Sequence, residues 1–134
     1  MPALSQTLTF KITNGNTTTN STQVSYPNTA TGVLVYNSEK IQGDGYFGGG
    51  DGVHTVMYTA TPTFVGTVTM QASLASAPTS ADWFNVPNTS VSYTELQNRN
   101  FATVDYFNFT GNFVWVRGVV SIKTGAVESI LYNH

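Results

Sequence analysis

At 134 residues the chain fits one domain with room for a core of its own. Only 9% of its residues are charged, against roughly 25% in ordinary soluble domains, and a formal net charge of -2 gives no electrostatic case for nucleic acid. Cysteine is absent, which excludes disulfides and thiolate metal sites and leaves the redox compartment open.

Thr, Ser and Asn stand where charges usually do. Thr suits strands, and Ser and Asn suit turns, so the polar faces are expected to be hydroxyl- and amide-rich. Such faces repel one another weakly. The opening MPALSQTLTF has neither a basic stretch nor a continuous apolar one, so a secretory signal is not expected. No apolar run approaches the roughly 20 residues of a membrane helix.

Residues 6–13 alternate, with Leu8, Phe10 and Ile12 on one face and Thr7, Thr9 and Lys11 on the other. This is the period of a half-buried strand. Asn14-Gly15 predicts a turn, and the polar NTTTNST that follows is either a long loop or a hairpin tip. Val24 to Tyr26 predicts a short strand ending at Pro27. Residues 31–37, TGVLVYN, are apolar on both faces and predict a central strand. The glycine-rich 43–53 predicts an irregular loop.

HTVMYTATP (54–62) alternates and stops at Pro62. In 64–76, Phe64, Val68, Met70, Ala72 and Leu74 share a face. Residues 77–84, APTSADWF, allow a single helical turn capped by Thr79 or Ser80. Further strands are predicted at 90–94 and 103–109, then two apolar-rich strands around a Lys-Thr-Gly turn. The last of these holds Ile130, Leu131 and Tyr132. These residues predict a terminal sheet strand rather than a solvated tail. About eight or nine strands without a sustained helical period predict an all-β antiparallel sandwich, jelly-roll or Ig-like. It would be a single domain over 1–134, with the first 40 residues partly an arm or extended hairpin.

Several residues invite a chemical reading. Asp44 and Asp51, with Glu39, offer hard oxygens for calcium, although Asp-Gly and Gly-Asp are ordinary turn dipeptides. Trp83, Phe84, Tyr106, Phe107 and Trp115 could stack on sugar rings; for Trp115 the expected place is the core. Trp83 reads equally as a plug over one end of the sandwich and as an exposed anchor. Arg117 stands mid-strand among apolar residues and needs a partner, with Asp105 the intramolecular choice and a neighbouring subunit the alternative.

Enzyme chemistry has little support. His54 and the terminal His134 are the two histidines, no serine sits in a nucleophile elbow, and Asp82, Glu95, Asp105 and Glu128 are scattered. There is no phosphate-binding loop and no zinc spacing. Glycosylation sequons at Asn16, Asn20, Asn88 and Asn108 are expected by chance in so Asn- and Thr-rich a chain.

The segments GTVTMQASLASAPTSADWFNV (66–86) and FTGNFVWVRGVVSIKTGAVESILYNH (109–134), with DGYFGGGDGVHTVMYTA (44–60) before them, carry a likeness. Their order of Gln71 to Leu74, Pro78, Asp82 to Phe84, Thr110 to Arg117 and Ile130 to Tyr132 resembles a β-sandwich domain of tailed-bacteriophage virion proteins, myophage and cyanophage types included. The likeness covers about residues 44–134 and is one of texture and order rather than of a catalytic signature.

The resemblance implies a non-enzymatic virion protein without cofactor, assembled in the host cytoplasm. A capsid decoration or cement protein is the leading expectation. It would bind the major capsid protein or other virion proteins as a homo-oligomer, with a trimer the guess. Arg117, Trp83, Phe84, Trp115 and Tyr132 are the expected interface residues. The alternative is a glycan-binding adhesin or fibre-type receptor-binding module, and a small jelly-roll enzyme is the remote one. Neither nucleic acid nor membrane is an expected partner.

Overall fold

The computed structural model describes residues 5–14, 16–27, 31–48, 51–94 and 101–133. In chain order the strands are β1 (Gln6–Thr7), β2 (Phe10–Asn14), β3 (Thr17–Ser21), β4 (Val24–Ser25), β5 (Leu34–Asn37) and β6 (Ile41–Gln42). A 3-10 turn follows at Asp44–Phe47. Then come β7 (Val53–Ala60), β8 (Val65–Ser73), β9 (Phe84–Asn85), β10 (Val91–Tyr93), β11 (Thr103–Thr110), β12 (Trp115–Thr124) and β13 (Ala126–Asn133). No α-helix occurs among the described residues.

Two antiparallel sheets face each other. One runs β1-β13-β7-β11, with β4 also on β13; the other runs β10-β8-β12-β5, with β6 on β12 and β9 on β8. Of the eight main strands the first pairs with the last (β1 with β13) and the second with the seventh (β5 with β12). The third pairs with the sixth (β7 with β11) and the fourth with the fifth (β8 with β10). A long hairpin of paired strands rolled into two sheets has this order, which is that of a jelly roll. The Ig-like alternative puts the first strand beside the second and is excluded by the β1–β13 pairing.

The period-two pattern places the core. On β7, His54, Val56, Tyr58 and Ala60 point inward; on β12, Val116, Gly118, Val120 and Ile122 do so. Leu8, Phe10, Val68, Met70, Ile130 and Tyr132 are fully buried between the sheets. Each buried side chain of this size contributes roughly 1.5–3 kcal/mol over its exposed state. Gly118 sits where a Cβ would stand 2.7 Å from Leu8 Cδ1, so the missing side chain on β12 is space that Leu8 fills.

Two corners carry the chain between sheets and lock onto each other. Thr61 N–H, just past β7, donates to Ala126 O at 2.9 Å, and Ala126 N–H donates back to Thr61 Oγ1 at 3.0 Å. Thr124 Oγ1 donates to Thr63 O at 2.6 Å. Between them Gly125 adopts φ +76°, and a Cβ there would meet Phe64 N at 2.5 Å. Only glycine fits this crossing comfortably.

Several expectations change. The 31–37 segment is an edge strand: among the described residues β5 pairs with β12 and with no second strand, and Val33 and Val35 are exposed at its outer side. Its inner residues Leu34 and Tyr36 cover the core edge, so apolar residues on both faces here did not mean a central place. Residues 6–13 divide between sheets: β1 joins β13, while β2 pairs with β3 in a separate hairpin, so the polar tract is a hairpin strand. The expected turn residue Gly15 lies outside the described residues. Leu74 falls one residue past β8 and is exposed. The expected helical turn at 77–84 is a tight turn, with Asp82 N–H donating to Thr79 O.

Candidate interaction surfaces

On the outer face of the β10-β8-β12-β5 sheet, alternation on β12 turns Trp115, Arg117 and Val119 outward, half-buried. Arg117 Nε donates to Gln71 Oε1 at 2.9 Å, directly across on β8. Gln71 Nε2 in turn donates to Asn85 Oδ1 on β9 at 2.9 Å. The guanidinium lies 4.3 Å from the Trp83 ring centroid, a cation–π stack. Burial lowers the Arg117 pKa from its usual value, but guanidinium keeps its charge at any physiological pH.

Trp115 is not a core residue. Its Nε1 donates to Ser76 O at 3.1 Å, the Tyr46 ring stands 5.1 Å away, and Lys40 Nζ lies 5.0 Å from its centroid. Trp83 is neither an end plug nor a free anchor: it covers Arg117. The expected Arg117–Asp105 pair does not form. Asp105 lies on β11 of the opposite sheet, where its Oδ1 accepts the Tyr106 N–H at 2.8 Å. Phe84 stays partly exposed and meets Phe113 edge-on at 5.7 Å.

At one end of the sandwich lies a buried polar centre. His54 is fully buried, with Nε2 at 2.7 Å from Gly111 O and Nδ1 at 2.6 Å from Tyr132 Oη. A carbonyl only accepts, so Nε2 carries the proton; in the neutral ring Nδ1 then accepts from the Tyr132 hydroxyl. Phe109 stacks on the imidazole at 4.6 Å. Burial, and behind it the Asp44 charge, raises the Tyr132 pKa well above its usual value. Tyr132 is thus a core residue, and its expected place at an interface is corrected.

The calcium reading does not gather its ligands. Asp44 is buried, and its Oδ2 accepts the Gly52 N–H at 2.8 Å; Asp51 Oδ1 accepts the Val53 N–H at 3.0 Å. Glu39 lies 3.4 Å from Lys11 Nζ. No three metal-capable side chains converge among the described residues.

The other candidate carboxylates stand apart. Asp82 closes the 79–82 turn, accepting from Thr79 N at 2.7 Å and Thr79 Oγ1 at 3.0 Å, bonds that lower its pKa. Asp105 is on β11 and Glu128 on β13, both exposed. Glu95 and His134 lie outside the described residues.

The outer face of the β1-β13-β7-β11 sheet was singled out in the sequence only through Tyr106. Register aligns Tyr106 (β11), Met57 (β7), Leu131 (β13) and Thr7 (β1) in one row across four strands. Val104, Thr59 and Ser129 form the row beside it. Asn108, Thr55 and Asn133 form the row on the other side, where Thr55 Oγ1 donates to Asn108 Oδ1 at 2.7 Å. No charged side chain occurs in these three rows. Tyr106 is 63% exposed and Val104 61%. Alternation on 53–60 and 103–110 was the signal that could have found this face, once both strands are placed in one sheet.

Two of the concavities among the described residues bear on these surfaces. A hollow of about 380 Å³ opens at the end of the sandwich beside Phe109, Phe113, Asn88 and Asn108. A much smaller one, about 110 Å³, lies on the outer face of the β1-β13-β7-β11 sheet between Met57 and Leu131. No protein-family model matches the chain, and a search of curated proteins finds no significant match.

Proposed function

We propose that the chain is a structural protein of a phage virion, a decoration or cement protein that holds neighbouring subunits together by sheet-face contacts. One observation carries this reading: both outer faces of the sandwich present exposed apolar residues, Val33 and Val35 on one side and Met57, Val104 and Tyr106 on the other. A cement needs two contact surfaces, and isolated exposed apolar residues become meaningful when they align on a face. His54 and Arg117 are meanwhile engaged by partners within the chain: His54 in the core with Tyr132 and Gly111, Arg117 on the outer face with Gln71 and Trp83. The mechanism is linkage. A protein that binds the assembled shell and not its free subunits stabilises the shell by its binding free energy. Particles made without this protein should disassemble at lower temperature or lower salt than complete ones; equal robustness overturns the cement role.

The end hollow favours a second reading, glycan binding. Its volume of about 380 Å³ falls within the range of small-ligand sites, and Phe109 and Phe113 beside Asn88, Asn108 and Thr110 make an uncharged aromatic-and-amide lining. Binding on a glycan array, lost in Asn88→Ala, would support it; an array with no signal removes it.

A further inference from the structure

The charge-free rows on the outer face of the β1-β13-β7-β11 sheet have both halves of a contact. Tyr106 stands out from β11 as the most exposed large apolar side chain of the central row. On the neighbouring strands the 110 Å³ hollow has Met57 and Leu131 as its apolar walls, with Ser5, Thr55 and Asn133 as its polar rim. It is too small for a typical ligand site of roughly 300–1,000 Å³ and is sized for one side chain. A phenol matches it chemically: ring against Met57 and Leu131, hydroxyl towards the amide and hydroxyl rim.

Knob and hollow on the same face, one or two strands apart, are self-complementary. A symmetry operator that brings Tyr106 of one copy to the hollow of another can do the reverse at the same interface. Charge points the same way. The three rows carry none, and the exposed charge on β13, Glu128, stands at the bulge beyond Ser129, so two copies can meet over the rows of Tyr106 and Asn108 without stranding an ion there. The opposite outer face carries two cations close to its aromatic rings, Arg117 at Trp83 and Lys40 at Trp115.

We infer that this face binds a second copy of the chain, with Tyr106 of each copy seated against Met57 and Leu131 of the other. The inference deepens the proposed structural role and rests on it only in taking the chain as one of many copies. The other face is then left for the particle.

The test is sedimentation equilibrium of the full chain beside Tyr106→Asp, Tyr106→Ser and Val35→Asp, the last an exposed position on the opposite sheet. The wild type and Val35→Asp should associate. Both Tyr106 variants should weaken association by about 10-fold or more while keeping the wild-type circular dichroism spectrum. The wild-type melting temperature should rise with concentration and theirs should not. A wild type that stays monomeric at its highest soluble concentration overturns the inference, and so does unchanged association in both Tyr106 variants. A monomer that still stabilises particles overturns the self-contact alone; an oligomer that never joins a particle overturns the structural role and leaves the self-contact standing.

Discussion

On the outer face of the β10-β8-β12-β5 sheet, charged and aromatic groups are engaged with one another. On the outer face of the β1-β13-β7-β11 sheet, the three rows around Tyr106 hold no charge, and Glu128 stands exposed at the β13 bulge beside them. Arg117 is held by Gln71 and Trp83, and Trp115 by Ser76, Tyr46 and Lys40. The first face is therefore partly closed by its own side chains. The second presents Tyr106, Met57 and Val104 with nothing folded over them among the described residues. A tryptophan or arginine in the sequence marks a place where bonds will be made, but not whether they are made within the chain or outside it. Here the conspicuous residues are satisfied internally, and the plainer alternation of β7 and β11 leaves the open surface.

The contrast depends on the two sheets being held in one packing, so the largest effect is expected at the corner that joins them. Gly125→Ala places a Cβ against Phe64 N at a φ of +76°. A loss of about 2–4 kcal/mol is expected, read from the midpoint of urea unfolding. An unchanged midpoint would mean that the corners do not hold the faces together.

The next effect concerns the buried side of the β1-β13-β7-β11 sheet. Burial raises Tyr58 and Tyr132 above their ordinary pKa of 10.0, so both hydroxyls stay protonated in the fold while the unfolded chain ionises. Their contribution is fully present below about pH 10 and falls above it, by at most about 1.4 kcal/mol per pH unit for each tyrosine. Urea midpoints measured from about pH 9 upward should therefore decline. Tyrosinate absorbance from these two residues should appear together with unfolding. Flat stability across that range would contradict their burial.

Smaller still is the coupling between Arg117 and Trp83. A double-mutant cycle of Arg117→Leu and Trp83→Ala should give about 1 kcal/mol. Self-association should be unaffected in both singles. If Arg117→Leu abolished association and left monomer stability intact, Arg117 would act between subunits and the contrast between the faces would fail. Smallest is Lys11→Ala, which removes an exposed ion pair to Glu39 and should move stability by no more than about 0.5 kcal/mol at any salt concentration.

The main strands were legible because their residues alternate. HTVMYTA and SVSY needed no tertiary information to be placed. The β12 strand shows where that stops. Both of its faces carry apolar residues, so period two separates Trp115, Arg117 and Val119 from Val116, Val120 and Ile122 without saying which set is inside. The answer lies in Gly118, whose missing side chain admits Leu8 from the other end of the chain. His54 was hidden for the same reason. Its partners Gly111 and Tyr132 stand 57 and 78 residues away, and no local pattern predicts that three such segments will meet. The Arg117–Asp105 expectation failed because neighbouring strands in sequence, β11 and β12, fold into different sheets.

The pairing of β1 with β13 also has a kinetic side. β13 is an inner strand, flanked by β1 and β7, yet it is made after every other strand described. During synthesis β7 lacks its neighbour on that side, and the apolar face holding Val56 and Tyr58 has no cover from Ile130 or Tyr132. Closing so non-local a pairing is slow by nature, because the loop entropy must be spent before any contact repays it. A chain with so few charges has little to keep these waiting strands from one another. Yield in the cell should thus depend on how quickly β13 reaches its slot, and slower synthesis or added chaperone should matter more here than further stabilisation of the folded sandwich.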